Sequence, residues 1–125
     1  MEQKLTPFEE KIVATWEDVY KKGQLTLWIL LSLKAGPKHM TEMKEFIASV
    51  TNATFKVDDQ SLYRALRRFH KMDLVAYREE PSVRGGPKIK VYSLTPVGRH
   101  VLEGFVERNI TNVLYTSKVR SLLHT

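Results

Sequence analysis

Residues 57–94, VDDQSLYRALRRFHKMDLVAYREEPSVRGGPKIKVYSL, read as an amphipathic helix running into a β-hairpin with a basic, glycine-containing tip. Asp58 is placed to cap the helix, its carboxylate accepting free N–H groups of the first turn, and Asp59 adds negative charge at the positive end of the helix dipole. From Gln60 to Met72 there is no further acid, while Arg64, Arg67, Arg68 and Lys71 are present. At about 100° per residue, Leu62, Ala65, Leu66, Phe69 and Met72 fall on one side and Gln60, Arg64, Arg67 and Lys71 on the other. One face is built to pack and the opposite face is cationic. An isolated helix of this kind is ordinarily a solvated basic face; the segment after it favours a different reading.

Leu74–Glu79 alternates like a strand, Pro81, Ser82, Gly85, Gly86 and Pro87 mark a turn region, and Ile89–Leu94 alternates again. No acid occurs between Pro81 and Leu102, whereas Arg84, Lys88, Lys90 and Arg99 do. The Gly85-Gly86 pair allows backbone to approach a phosphate closely. The plainer alternative is a surface hairpin whose lysines guard its edges. Helix and hairpin together favour contact with duplex DNA.

The chain ahead of this unit predicts three helices. Thr6-Pro7-Phe8-Glu9 is a capping box with proline at the first helical position, opening a helix over 7–22 with Phe8, Ile12, Trp16 and Val19 as a stripe and Gly23 as its stop. Leu25–Leu33 is apolar nearly all round and reads as a central buried helix ended by Gly36-Pro37. Thr41 is the expected cap of a third helix that turns Met43, Phe46, Ile47 and Val50 inward, and 51–56 is a linker. A helix-turn-helix followed by a hairpin is a winged helix, with residues 58–72 as the recognition helix and 74–94 as the wing.

Composition fits one such module. The chain has 125 residues, 42% hydrophobic, 27% charged, with net charge +6 and no cysteine. That suits a single domain, a polyanionic partner and a reducing cytoplasm. The first ten residues hold no apolar signal core, and the longest apolar run, Leu25–Leu33, is too short to cross a bilayer, so no membrane partner is expected. Two glycosylation-type triplets, at Asn52 and Asn109, carry no weight without a secretion signal. His39, His70, His100 and His124 lack metal-ligand spacing, and neither a nucleophile elbow nor a phosphate-binding glycine loop is present. No catalysis, metal or cofactor is expected.

The ordered segments Leu30-Leu31-Ser32-Leu33, Gly36-Pro37-Lys38-His39 with Glu42, Ser61-Leu62-Tyr63 with Leu66-Arg67-Arg68, Leu74-Val75, Gly85-Gly86-Pro87 and Tyr92-Ser93-Leu94-Thr95-Pro96-Val97-Gly98 resemble the PadR family of small winged-helix transcriptional regulators over roughly residues 25–108. The chain departs from the family pattern at Met40 and Thr41, where glycine and tyrosine are usual, and at Asp59 and Gln60, where Pro-Gly is common. The resemblance implies a mainly α (α+β) fold, a winged helix-turn-helix with an extra N-terminal helix and a C-terminal dimerisation helix. It further implies a homodimeric regulator of transcription, usually a repressor, bound to an inverted-repeat operator in double-stranded DNA.

The residues supply their own candidates for each role. Gln60, Arg64 and Arg67 are placed for base edges. Ser61, Tyr63, Arg68 and Lys71, with Lys38 and His39 ahead of the third helix and Arg84, Gly85, Gly86, Lys88 and Lys90 from the wing, are placed for the DNA backbone. Thr95-Pro96 starts a last helix carrying Val97, Val101, Leu102, Phe105 and Val106, then Ile110, Val113 and Leu114, more apolar surface than one small core absorbs. These are the expected dimer interface, to which the resemblance adds the N-terminal helix with Phe8, Ile12 and Trp16; the alternative is that the tail folds back on its own core. Residues 1–94 are thus the expected DNA-binding domain and 95–125 the dimerisation segment, in which Thr111-Asn112 is a candidate helix break and 117–125 either frays or adds a short helix. Two other roles compete. Phe8, Trp16, Trp28 and Phe105 line a pocket for a small hydrophobic effector at the dimer interface, against the plainer reading of core aromatics, or the winged helix binds another protein.

Overall fold

In a computed structural model, which describes residues 4–124, the order is α1 (Pro7–Lys21), α2 (Leu25–Lys34), α3 (Met40–Val50), α4 (Asp59–Lys71), β1 (Val75–Glu80), β2 (Ile89–Leu94) and α5 (Pro96–Val106). A π-helical turn, Glu107–Thr111, then leads into α6 (Asn112–Leu114) and α7 (Ser117–Leu123). The outermost ends of the two expected domains, residues 1–3 and 125, lie outside the described residues.

The core is a single cluster. Ile29, Leu30 and Leu33 of α2 meet Met43 and Ile47 of α3, Leu62, Ala65, Leu66 and Phe69 of α4, and Leu74, Val75 and Tyr92 of the hairpin. α2 is central, as its nearly continuous apolar sequence requires; its buried Ser32 hydroxyl donates to the Ile29 carbonyl at 2.7 Å, so no polar atom is stranded there. The hairpin is antiparallel, running from Val75 opposite Leu94 to Glu80 opposite Ile89. Backbone bonds between Lys38 and Tyr92, at 3.0 and 2.8 Å in the two directions, tie the entry of α3 to β2 and fix the hairpin's angle to the helices.

Three local expectations are corrected. The cap of α3 is His39, not Thr41: its Nδ1 accepts from the Glu42 N–H at 3.4 Å, and the Glu42 carboxylate accepts from the His39 N–H at 3.0 Å. An imidazole nitrogen performs the work usually given to a hydroxyl or carboxylate. Met72 leaves the apolar face because it is the C-cap of α4, and Val50, the last residue of α3, is likewise exposed. Thr111-Asn112 does not stop the helix. The chain passes through the π turn instead, with the Asn109 side chain donating to the Phe105 carbonyl at 3.1 Å.

The start of α5 is pressed against the end of β1's lead-in. Thr95 caps the helix by accepting from the Gly98 N–H at 2.9 Å, donates its hydroxyl to the Asp73 carbonyl at 2.5 Å and its N–H to the Leu74 carbonyl at 3.1 Å. Behind that start, Leu102 is buried in the core and Val106 packs against it. Leu102, expected at a dimer interface, is therefore a core residue of this chain.

α1 behaves in the opposite way. It buries no residue; Phe8 is 73% and Trp16 70% exposed. Its capping box is formed as expected, and Lys21 donates to the Thr54 carbonyl at 2.7 Å. The reading of Phe8 and Trp16 as core aromatics is thus overturned, whereas Trp28 is partly buried beside Phe55, ring centroids 6.4 Å apart.

Candidate nucleic-acid interface

α4 starts where Asp58 accepts from the Ser61 N–H at 2.8 Å and the Ser61 hydroxyl at 2.9 Å. These bonds, the backbone one first, hold the Asp58 carboxyl below the ordinary carboxylate range. A depressed carboxyl stabilises the fold at pH values above its ordinary range, and the contribution fades as pH falls through the lowered value. Ser61, a candidate backbone contact, has its hydroxyl committed to this cap. Asp59 pairs with Lys44 of α3 at 2.6 Å, an exposed bridge worth little in stability that joins the two helices of the helix-turn-helix.

Beyond the first turn the apolar face of α4 is buried while Gln60, Arg64, Arg67 and Lys71 are exposed together, as the helical spacing requires. Tyr63 lies on the flank facing the hairpin. Arg68 lies on the other flank, its guanidinium 5.2 Å from the Phe69 ring. At the wing, Arg84, Gly85, Gly86 and Lys88 are exposed around a tip in which the Gly85 N–H bonds the Ser82 carbonyl at 3.1 Å. Gly85 has φ of +74°, a left-handed turn that glycine adopts without cost. Val83 is fully exposed between Ser82 and Arg84.

Between α4 and the hairpin runs a cleft of about 360 Å³ that brings Arg67, His70 and Lys71 opposite Tyr77, Lys90 and Tyr92. The Lys90 ammonium sits 4.6 Å from the centre of the Tyr77 ring, and the Tyr77 and Tyr92 rings are 5.6 Å apart. Burial above all, then the neighbouring Tyr63 and Tyr77, pushes the Tyr92 hydroxyl above its ordinary value, so it stays a neutral phenol. A second cleft continues the first, joining His39 at the head of α3 to Tyr63, Lys88 and Lys90.

Lys38 does not join this surface. Its ammonium donates to the Ser32 and Gly36 carbonyls at 2.7 and 3.3 Å and lies 4.8 Å from the Phe46 ring, neutralising the C-terminal end of α2. His70, Tyr77 and Tyr92 are the members that sequence reasoning missed. Strand alternation sorts the residues of each strand into two faces, but only the pairing of Tyr77 with Tyr92 sets these two side by side on the same face.

A family model described as the transcriptional regulator PadR-like family matches residues 29–104, more than half of the chain. The chain belongs to the PadR-like family. The match begins inside α2 and ends inside α5, so it spans the whole helix-turn-helix and wing. Among solved structures, a PadR-like transcription factor from Bacteroides fragilis is 27% identical, with TM-score 0.63, over 83% of this chain and 96% of that one. A PadR-like transcriptional regulator from Bacillus cereus is 25% identical, with TM-score 0.66, over 86% and 98%. Bacillus subtilis PadR, solved in complex with operator DNA, shares the fold at 17% identity and TM-score 0.59, over 66% of this chain and 46% of that chain. No curated protein matches the chain. PadR-like proteins are transcriptional regulators rather than enzymes, in line with the absence of catalytic motifs from the sequence. Among the described residues no helix is long and apolar enough to cross a membrane.

Proposed function

We propose that this PadR-like regulator binds double-stranded operator DNA as a homodimer and represses transcription from the reducing cytoplasm that a cysteine-free chain suits. The observation that carries the reading is the cleft between α4 and the hairpin, where Arg67 and Lys71 face Lys90 and which continues to Lys88, with Arg64 of α4 and Arg84 of the wing tip also exposed. The Bacillus subtilis relative bound to operator DNA supports it. α4 enters the major groove with Arg64, Arg67 and Gln60 toward base edges, arginine favouring guanine and glutamine adenine. Tyr63, Arg68, Lys71 and the wing hold the phosphate backbone, with the tip at the minor groove. Two copies place their recognition helices about 34 Å apart on an inverted repeat. Residues 1–94 carry the DNA contacts, and 95–125 carry the pairing together with the exposed stripe of α1.

Arg67→Glu is the test. The residue is exposed, so the fold is retained. Loss of a bidentate base contact costs about 1–3 kcal/mol per half-site, and the dimer's affinity for its operator is expected to fall about 100-fold or more in a fluorescence-anisotropy titration. Normal binding by Arg67→Glu overturns the assignment of α4. Raising the salt concentration weakens the wild-type complex by about one log unit per log unit of salt for each phosphate neutralised; a salt-independent affinity points to a protein partner instead.

One observation favours an added ligand response. An apolar groove of about 580 Å³ lies between the α1–α2 junction and the end of α5, where Trp28 and Leu31 face Phe105 and Ile110. A hydrophobic aromatic cation titrated into the protein is expected to quench Trp28 emission and to leave a Trp28→Phe variant unaffected. Unchanged wild-type fluorescence rules the groove out as an effector site.

A further inference from the structure

The cleft between α4 and the hairpin contains a pair to which the reading above gives no part. The His70 and Tyr77 rings lie 5.0 Å apart, tilted by 54°. His70 follows Arg67 by three residues on α4, so the two are neighbours on one helix flank, and Lys71 is adjacent. From β2 comes Lys90, whose ammonium rests over the same Tyr77 ring. Among the described residues that line the cleft there is no carboxylate. The nearest acid on this face of the sheet is Glu79, paired with Lys90 one step toward the tip; Glu80 is on the opposite face, bonded to Arg78 at 2.9 Å. Asp73 lies beyond the end of α4, in the turn before β1.

We infer that His70 is a further phosphate contact of the recognition helix, that it takes up a proton as the duplex docks, and that Tyr77 is the positioning residue for both His70 and Lys90. The inference rests on the DNA-binding reading. Arg67, Lys71 and Lys90 draw a backbone phosphate to the mouth of the cleft, where it stands beside the imidazole. An anion within about 4–6 Å favours the protonated ring, and the protonated ring offers two N–H donors where the neutral one offers a single donor. Binding and protonation are then linked: whatever raises the proton concentration tightens the complex, because the bound state holds more protons than the free one. The other groups facing His70 are the phenols of Tyr63, Tyr77 and Tyr92, the last held neutral by its burial. Lys90, Arg67 and Lys71 complete its surroundings, and His70 is the one imidazole among the residues lining this cleft, so the proton change is assigned to it. Tyr77 acts through its ring, which lies against both the His70 ring and the Lys90 ammonium; its hydroxyl has no part.

The experiment measures the affinity of the full-length protein for its operator duplex at constant ionic strength at about pH 6 and about pH 8, either side of the ordinary imidazole value near 6.5. The wild type is expected to bind about tenfold more tightly at the lower pH, a proton-linked gain. His70→Gln is expected to bind equally at both, at the wild type's higher-pH level, and His70→Lys tightly at both. Tyr77→Phe keeps the wild-type profile, while Tyr77→Ala loses affinity together with the pH dependence. His39→Gln, which removes the other histidine near the surface, keeps it. If His70→Gln retains the wild-type pH dependence, or if His39→Gln abolishes it, the inference is wrong while the DNA-binding reading stands. If the wild type binds no duplex at either pH, both fall together.

Discussion

Gly98→Ala is expected to unfold or severely loosen the N-terminal turn of α5. A Cβ built on Gly98 would stand 1.9 Å from the Leu74 carbonyl oxygen and 2.8 Å from its carbon. Both are backbone atoms, so no side-chain rotation relieves the overlap. Leu74 is itself fixed, since its N–H bonds the Phe69 carbonyl at 2.9 Å and its own carbonyl accepts from Thr95 at 3.1 Å. To admit one methyl group the first turn of α5 must lift away, which strains the Thr95 bonds to Asp73 and Leu74 and draws Leu102 from the core. Overpacking costs about 1–3 kcal/mol and occasionally more, and an overlap with fixed backbone belongs at the upper end, which lowers the melting temperature of a domain of this size on the order of 10 °C. Gly104→Ala is the matched control. It lies later in the same helix, an added Cβ meets nothing within 4 Å, and replacing a mid-helix glycine gains about 0.5–1 kcal/mol. Calorimetry on the two variants is expected to move them in opposite directions. A Gly98→Ala protein that melts with the wild type would mean that α5 is not held against Leu74.

The same glycine shows what the sequence could and could not say. Periodicity of 3.6 placed α4 and sorted its faces, because Leu62, Leu66 and Phe69 recur on one side and the arginines on the other. Capping chemistry placed the starts of α1, α4 and α5 through Thr6, Asp58 and Thr95. Each of those signals is local. Gly98 was legible only as part of a resemblance, since its reason is a contact with Leu74, twenty-four residues earlier in the sequence. Lys38 looked free to reach DNA because nothing nearby in the sequence announces that its ammonium serves the end of α2. The Tyr77–His70–Lys90 cluster needed the hairpin register and the angle between sheet and α4 at once. The His39 cap was missed for a different reason: the residue type is unusual in that role, so the pattern of preferred caps pointed to Thr41.

Replacing both Ile12 and Trp16 by aspartate is expected to turn a dimer into a monomer and to cost most of the operator affinity. α1 contributes nothing to the core, yet Phe8, Ile12, Trp16 and Val19 are each more than half exposed along one stripe. Val101 and Phe105 of α5 and Val113 beyond it add further exposed apolar surface. A monomer that left these side chains in water would carry an uncommonly large apolar patch, and burial against a second copy removes it at roughly 25 cal/mol per Å². Aspartates at positions 12 and 16 would each have to be desolvated in that interface, whereas on a free α1 they face water at little cost. Circular dichroism should therefore change little while the sedimentation coefficient falls from that of a dimer to that of a monomer. Two linked half-site contacts gain about 100- to 10,000-fold over one through effective concentration, so the affinity for an inverted repeat should drop by about that factor, with the affinity for a single half-site almost unchanged. A double variant that still sediments as a dimer would place the pairing surface elsewhere. A wild type that sediments as a monomer would leave the α1 stripe without the partner its composition requires.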